Sequence, residues 1–221
     1  MIIESQAKSA ELLPNYETAT RGSRQPPQVP LIYTFTNWQH GSMLVMPPRD
    51  APSQQPLYRI TVDLDLNPFL PVSYNTRIMR CGRREGEVVG EFAFALNNKR
   101  AVLRMGDLTT RLSNALYSVN SSPRHFNWIL ENRLHWDCRS SLPDGSPLCI
   151  CYLPSPQTSS DPRAPASASS GQSVQVATFV PPPADASPPL PDATLTVFPG
   201  GFAIMDEIVV SALVVERMLT R

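Results

Sequence analysis

The chain has no surplus of charge. Nineteen Lys and Arg balance nineteen Asp and Glu over 221 residues, which removes any global electrostatic drive toward nucleic acid or acidic substrates. Histidine is scarce, with only His40, His125 and His135. No Ser/His/Asp order, glycine-rich phosphate loop or HExxH accompanies them, so neither an enzyme nor a bound cofactor or metal is expected. The N-terminus lacks a basic start followed by an apolar run, so secretion is not expected. The sequon at Asn120-Ser121-Ser122 is then expected to be unused. No uninterrupted apolar stretch reaches the roughly 18–20 residues of a membrane-spanning helix. The four cysteines, Cys81, Cys138, Cys149 and Cys151, fit reduced cytoplasmic thiols better than a disulfide framework.

What the chain has in excess is proline: 24 residues against 10 glycines. The prolines cluster at 26–30, 47–56, 154–165 and 181–191 and leave the apolar segments largely free. Residues 1–29 are polar, without apolar periodicity, and read as a disordered tail. Ser155–Gln172 is low-complexity and 181–192 has polyproline character. Both read as disordered insertions within one domain covering 30–221, since closure entropy grows only slowly with loop length.

Between these segments strand signals recur at close spacing. They fall at Leu31–Thr36, Ser42–Met46, Leu57–Asp63, Thr76–Cys81, Glu87–Leu96, Arg100–Met105, weakly at Leu108–Leu112, then Phe126–Leu130, Leu134–Arg139, Leu148–Leu153, Val174–Val180 and Ala193–Phe198. In LYRITVD, Tyr58, Ile60 and Val62 face one way and Arg59, Thr61 and Asp63 the other, the half-buried pattern of an antiparallel sheet. Asn97-Asn98, Glu131-Asn132 and Leu142-Pro143-Asp144-Gly145 supply turn chemistry.

The closing segment Phe202–Leu219 differs. Thirteen of its eighteen residues are apolar, and Asp206, Glu207, Ser211, Glu216 and Arg217 do not gather on one face. Its length, the acids near its start and the arginine near its end favour a helix. A thirteenth strand is the alternative, because valine and isoleucine favour strands. A helix apolar all round must be enclosed. About twelve antiparallel strands suit a closed barrel too wide to be filled by strand side chains alone, with the helix as its plug.

The aromatic hairpin Phe126-Asn127-Trp128 and Leu134-His135-Trp136, the Asp144-Gly145 turn with Leu148–Tyr152, and the closing stretch Asp206–Arg217 carry a resemblance over roughly residues 30–219. In these the chain resembles an uncharacterised fungal family of the tubby C-terminal-like superfamily, which includes the LURP-one-related proteins and the phospholipid scramblases. The resemblance implies a mainly β fold, a closed antiparallel barrel of about twelve strands around a hydrophobic C-terminal α-helix. It carries no assigned chemistry.

Three features are candidate sites. Leu13-Pro14-Asn15-Tyr16 matches the pattern bound by WW domains, whose aromatic grooves take a preformed extended segment at little ordering cost. Leu13, Pro14 and Tyr16 are its contact residues, and a WW-domain protein is the partner. Arg77, Arg80, Arg83 and Arg84, with Lys99 and Arg100 on the next hairpin, form a basic cluster. Guanidinium geometry matches phosphate, and tubby domains resemble this in holding phosphoinositide headgroups with basic surface residues. Glu85, Glu87 and Glu91 interleave with the cluster. Cys149 and Cys151 share a strand face with Cys138 on the probable partner strand and His135 nearby, but the spacing is not that of a zinc knuckle and a packed core accounts for it. The chain therefore reads as a monomeric, non-enzymatic binding module, cytoplasmic and peripheral at membranes. A scramblase-like protein with its helix in lipid, or a purely structural domain, is the alternative.

Overall fold

A computed structural model describes residues 27–65, 73–82, 86–95, 101–154, 173–183, 185–187 and 190–220. Leu13, Pro14, Tyr16, Arg83, Arg84, Lys99, Arg100, the Asn97-Asn98 turn and the 155–172 insertion lie outside them.

The first half of the chain runs through β1 (Leu31–Phe35), β2 (Ser42–Met46), β3 (Tyr58–Asp65), β4 (Ser73–Arg80), β5 (Glu87–Ala95), β6 (Val102–Met105) and β7 (Leu108–Arg111). One turn of helix, α1 (Leu112–Ala115), leads to β8 (Leu116–Ser118), β9 (His125–Ile129), β10 (Arg133–Ser141), β11 (Pro147–Leu153), β12 (Val174–Val180) and β13 (Thr194–Val197). A 3-10 turn, Pro199–Ile204, then enters α2 (Met205–Leu219).

All thirteen strands form one antiparallel sheet in the order β7-β6-β5-β4-β3-β2-β1-β13-β12-β11-β10-β9-β8. Each half is a meander of chain neighbours, and the β1–β13 ladder (Leu31↔Val197 to Thr34↔Thr194) sews the halves together. The strand signals are thus borne out and joined by a thirteenth, β8. It is three residues long, too short to show alternation, and is held by pairing Leu116 with Trp128. The ladder is not closed as expected: β7 and β8 are its two ends, joined through α1, whose Leu112 and Ala115 are buried.

The closing segment is a helix, and the strand alternative falls. Its α-helical part starts at Met205, later than expected, after the 3-10 turn Pro199–Ile204 in which Gly201 lies hard against β12. A Cβ there would sit 2.4 Å from the Val176 carbonyl oxygen. Nine consecutive residues, Glu207–Val215, are buried. Strands from both halves of the sheet touch the helix. Gly90 on β5 faces Val210 so closely that a Cβ would lie 2.5 Å from Val210 Cγ2, while Trp136 on β10 donates to Ser211 Oγ at 3.1 Å. The core is continuous from Phe35 and Ile60 through Trp128 and Leu195 to the helix. The helix therefore fills the hollow of a curved sheet, and among the described residues no helix is long and apolar enough to cross a membrane.

The turns follow local rules. Gly145 has φ +86° and its N–H donates to the Leu142 carbonyl at 3.0 Å, closing the β10–β11 connection as expected. Leu130–Asn132 link β9 to β10, which fixes the register His135↔Asn127 and Asp137↔His125.

Candidate functional site

Successive side chains of a strand point to opposite faces. On β4, Thr76 and Ile78 are buried against the core, so Arg80 shares their direction and Arg77 points outward. The two described members of the basic cluster therefore lie on opposite faces of the sheet. Three-residue spacing in a strand always does this, so the split was available from the alternation in the sequence.

Arg80 turns toward the start of α2. Its Nη2 donates to Asp206 Oδ2, and its Nε lies 3.7 Å from Glu87. Tyr58 Oη donates to Asp206 Oδ1 at 2.5 Å, and the Arg80 guanidinium sits 6.0 Å from the Tyr58 ring centre. Burial, then the Asp206 carboxylate, pushes the Tyr58 phenol far up. Next to it Glu207 is buried and accepts from Trp128 Nε1 (2.9 Å), the Asn132 backbone N–H (3.2 Å) and Asn132 Nδ2 (2.6 Å). These are charge-assisted bonds, the stronger kind. A cavity of about 390 Å³ opens above, walled by Phe202, Val88 and Leu130 and edged by Arg80, Glu87 and Glu131. Asp206 and Glu207, which in the sequence favour a helix start, are thus also the clasps that hold the helix to both halves of the sheet.

Arg77 remains on the outer face of β3–β7, where register builds a wider array. It stands across from Thr61 on β3 and from Glu91 on β5, and Glu91 stands across from Arg104 on β6. Arg59, two positions from Thr61, and Arg111 on β7 complete four outward arginines. Glu91 lies 3.6 Å from Arg77 and accepts from Asn75 Nδ2. Among the described residues Arg59, Arg104 and Arg111 make no ion pair. Asp63 and Asp65 share the face. Thr61 Oγ1, beside Arg77, is buried without a hydrogen-bond partner among the described residues. A shallow cavity of about 210 Å³ lies between Arg77, Glu91 and Arg104. Arg59, Arg104 and Arg111 were missed because they are far apart in sequence; their outward parity in LYRITVD and VLRM was the available signal.

The other half of the sheet carries a second polar arrangement. His125 and His135, scattered in sequence, meet on the outer face of β9–β10 with Nε2 atoms 2.5 Å apart and rings edge to face. His135 Nδ1 lies 2.8 Å from Asn127 Oδ1. Burial, then the neighbouring His125, lowers the His135 pKa. Asp137 is held by Arg139 through Oδ1 (2.8 Å) and Oδ2 (2.6 Å), which brings its carboxyl down to about 2.

Cys138, Cys149 and Cys151 face the opposite way, into the core, and are fully buried. A hydrogen bond to Cys149, followed by burial, pushes the Cys138 thiol up. Burial, followed by the Glu207 charge, does the same to Cys151. The parity that buries Cys138 turns His135 outward, so the histidine and the thiols cannot share a ligand set. Among the described residues no group of three or more His, Cys, Asp and Glu converges on one point.

The chain is thus an antiparallel sheet curled on a C-terminal helix, with polar arrays on its outer faces. The chain belongs to a family of unknown function, DUF6593, which matches residues 48–221. The match begins ahead of β3 and takes in every strand from there to α2. No curated protein and no solved structure matches the chain.

Proposed function

We propose that this protein is a non-enzymatic binding module, a tubby-like barrel plugged by its C-terminal helix, that engages phosphoinositide headgroups at the cytoplasmic surface of membranes. The single observation that supports this reading is the array of Arg59, Arg77, Arg104 and Arg111 on one outer face. Guanidinium groups gathered on one face suit the oxygens of a phosphate monoester. The site differs from the cluster suggested by sequence, since Arg80 is committed to Asp206. Arg83, Arg84, Lys99 and Arg100 lie outside the described residues, and their part in the site is supported by their sequence alone. Leu13, Pro14 and Tyr16 would add a WW-domain contact through the tail, a reading supported by their sequence alone.

The test is co-sedimentation with vesicles containing a phosphatidylinositol bisphosphate, against vesicles of phosphatidylcholine alone. Binding should fall at least tenfold when Arg59, Arg77 and Arg104 are changed together to Glu, and should weaken with added salt as screening predicts. Equal binding by the triple variant, with its thermal unfolding unchanged, sinks the reading.

A further inference from the structure

We propose that His125 and His135 form a binding site for a single divalent transition-metal ion on the outer face of β9–β10. The hairpin register places the two imidazoles diagonally on one face, with Nε2 directed at Nε2 at 2.5 Å. Only one hydrogen fits between two such nitrogens, so at least one of them presents a bare lone pair.

The tautomer of His135 identifies which. Asn127 Oδ1 is an acceptor, so the 2.8 Å contact makes His135 Nδ1 the donor, and its Nε2 carries no hydrogen when the ring is neutral. A carbonyl that fixes the far nitrogen of a histidine is the usual support of a metal-bound imidazole, and it raises the ligand's basicity. His125 then supplies the second nitrogen by moving its hydrogen from Nε2 to Nδ1 through solvent, with no net change in protonation.

Two metal–nitrogen bonds of about 2.1 Å in tetrahedral geometry set the nitrogens roughly 3.4 Å apart, so the rings, whose nitrogens now lie 2.5 Å apart, need to part by about 0.9 Å. Both rings are half-buried on a solvent-facing surface, and small side-chain rotations supply that. Asp137 lies across the ladder from His125, but its carboxylate is held by Arg139. Water therefore completes the coordination. Imidazole ligands with open positions favour nickel, copper and zinc over magnesium and calcium. This site lies on the half of the sheet away from the arginine face and stands independently of the phosphoinositide reading.

The experiment is calorimetric titration of the full chain with nickel chloride, in a Cys81→Ser background so that the one partly exposed thiol does not compete. One ion per chain is expected. His125→Ala and His135→Ala should each lose the heat, and His40→Ala should keep it. Asn127→Ala, which leaves both ligands in place but releases the tautomer, should weaken binding about 10–100-fold. Circular dichroism confirms that each variant is folded. No heat from the parent, or heat of the same affinity in either His125→Ala or His135→Ala, overturns the site.

Discussion

Trp128 donates its indole N–H to Glu207 across 79 positions of chain, at 2.9 Å and away from the surface. The bond joins β9 to the plug helix, and Asn132 completes the carboxylate's shell from the adjoining turn. Glu207→Gln is nearly isosteric but turns an amide N–H₂ toward the Asn132 side-chain amide, a donor facing a donor. Urea denaturation should show a loss of about 1–3 kcal/mol. Glu131→Gln, one residue before Asn132 and exposed, should change stability by less than about 0.5 kcal/mol. Equal effects from the two would mean that the clasp contributes nothing.

Gly90 of β5 packs directly against Val210 of α2. A methyl group on Gly90 would lie 2.5 Å from Val210 Cγ2, so Gly90→Ala should destabilise by about 1–3 kcal/mol through overpacking. Val210→Ala opens the space, and the double variant should recover part of that cost in a double-mutant cycle. Val210→Asp should prevent folding, because an unpaired carboxylate in the core costs several kcal/mol. A folded Val210→Asp variant with the parent's thermal midpoint would refute the enclosed helix.

Much of this architecture was legible because two periodicities are written cleanly. Alternation in LYRITVD and in FNWIL with LHWDCR announced half-buried strands, and the all-round apolarity of IVVSALVV announced an enclosed helix. What stayed hidden is long-range. Asp206, Glu207 and Ser211 looked like interruptions of an apolar helix, because their partners Arg80, Trp128 and Trp136 come from strands 75 to 126 residues away. The meeting of His125 with His135 needed the three-residue turn between β9 and β10 and hence the register. The ladder's failure to close between β7 and β8 is set by α1, a single helical turn too short for any periodic signal. Arg77 and Arg80 fall on opposite faces because the basic cluster is counted along the chain and not by strand face.

The thiols should be sharply unequal. Cys138, Cys149 and Cys151 are buried, and burial with hydrogen bonding or a nearby carboxylate keeps Cys138 and Cys151 protonated. The thiolate is the reactive form. At neutral pH, iodoacetamide followed by mass spectrometry should label Cys81 first and the other three only after denaturation. Rapid native labelling of Cys138 would contradict the packed interior.

Acid should weaken the fold through His135. Its native pKa is depressed, by burial first and then by His125, while Asp137 opposes the shift and Arg139 adds to it. The Tyr152 ring of β11 lies 6.4 Å from the same ring, tilted by 46°, and Tyr117 of β8 lies across from Asn127. A base with a lowered native pKa binds its proton better in the unfolded chain. Its contribution to stability is complete above the unfolded value near 6.5 and is lost as pH falls through the native value. The Asp137 carboxyl, brought down to about 2, follows the same sign at lower pH, losing its contribution between about 4 and 2. Its guanidinium partner is exposed, so that second loss is small. Thermal midpoints measured with a chelator present should therefore drop between pH 7 and pH 5 in the parent. His135→Gln, which has no proton to gain, should flatten that slope while leaving the decline below pH 4 in place. A slope unchanged by His135→Gln would show that other groups govern the acid limb.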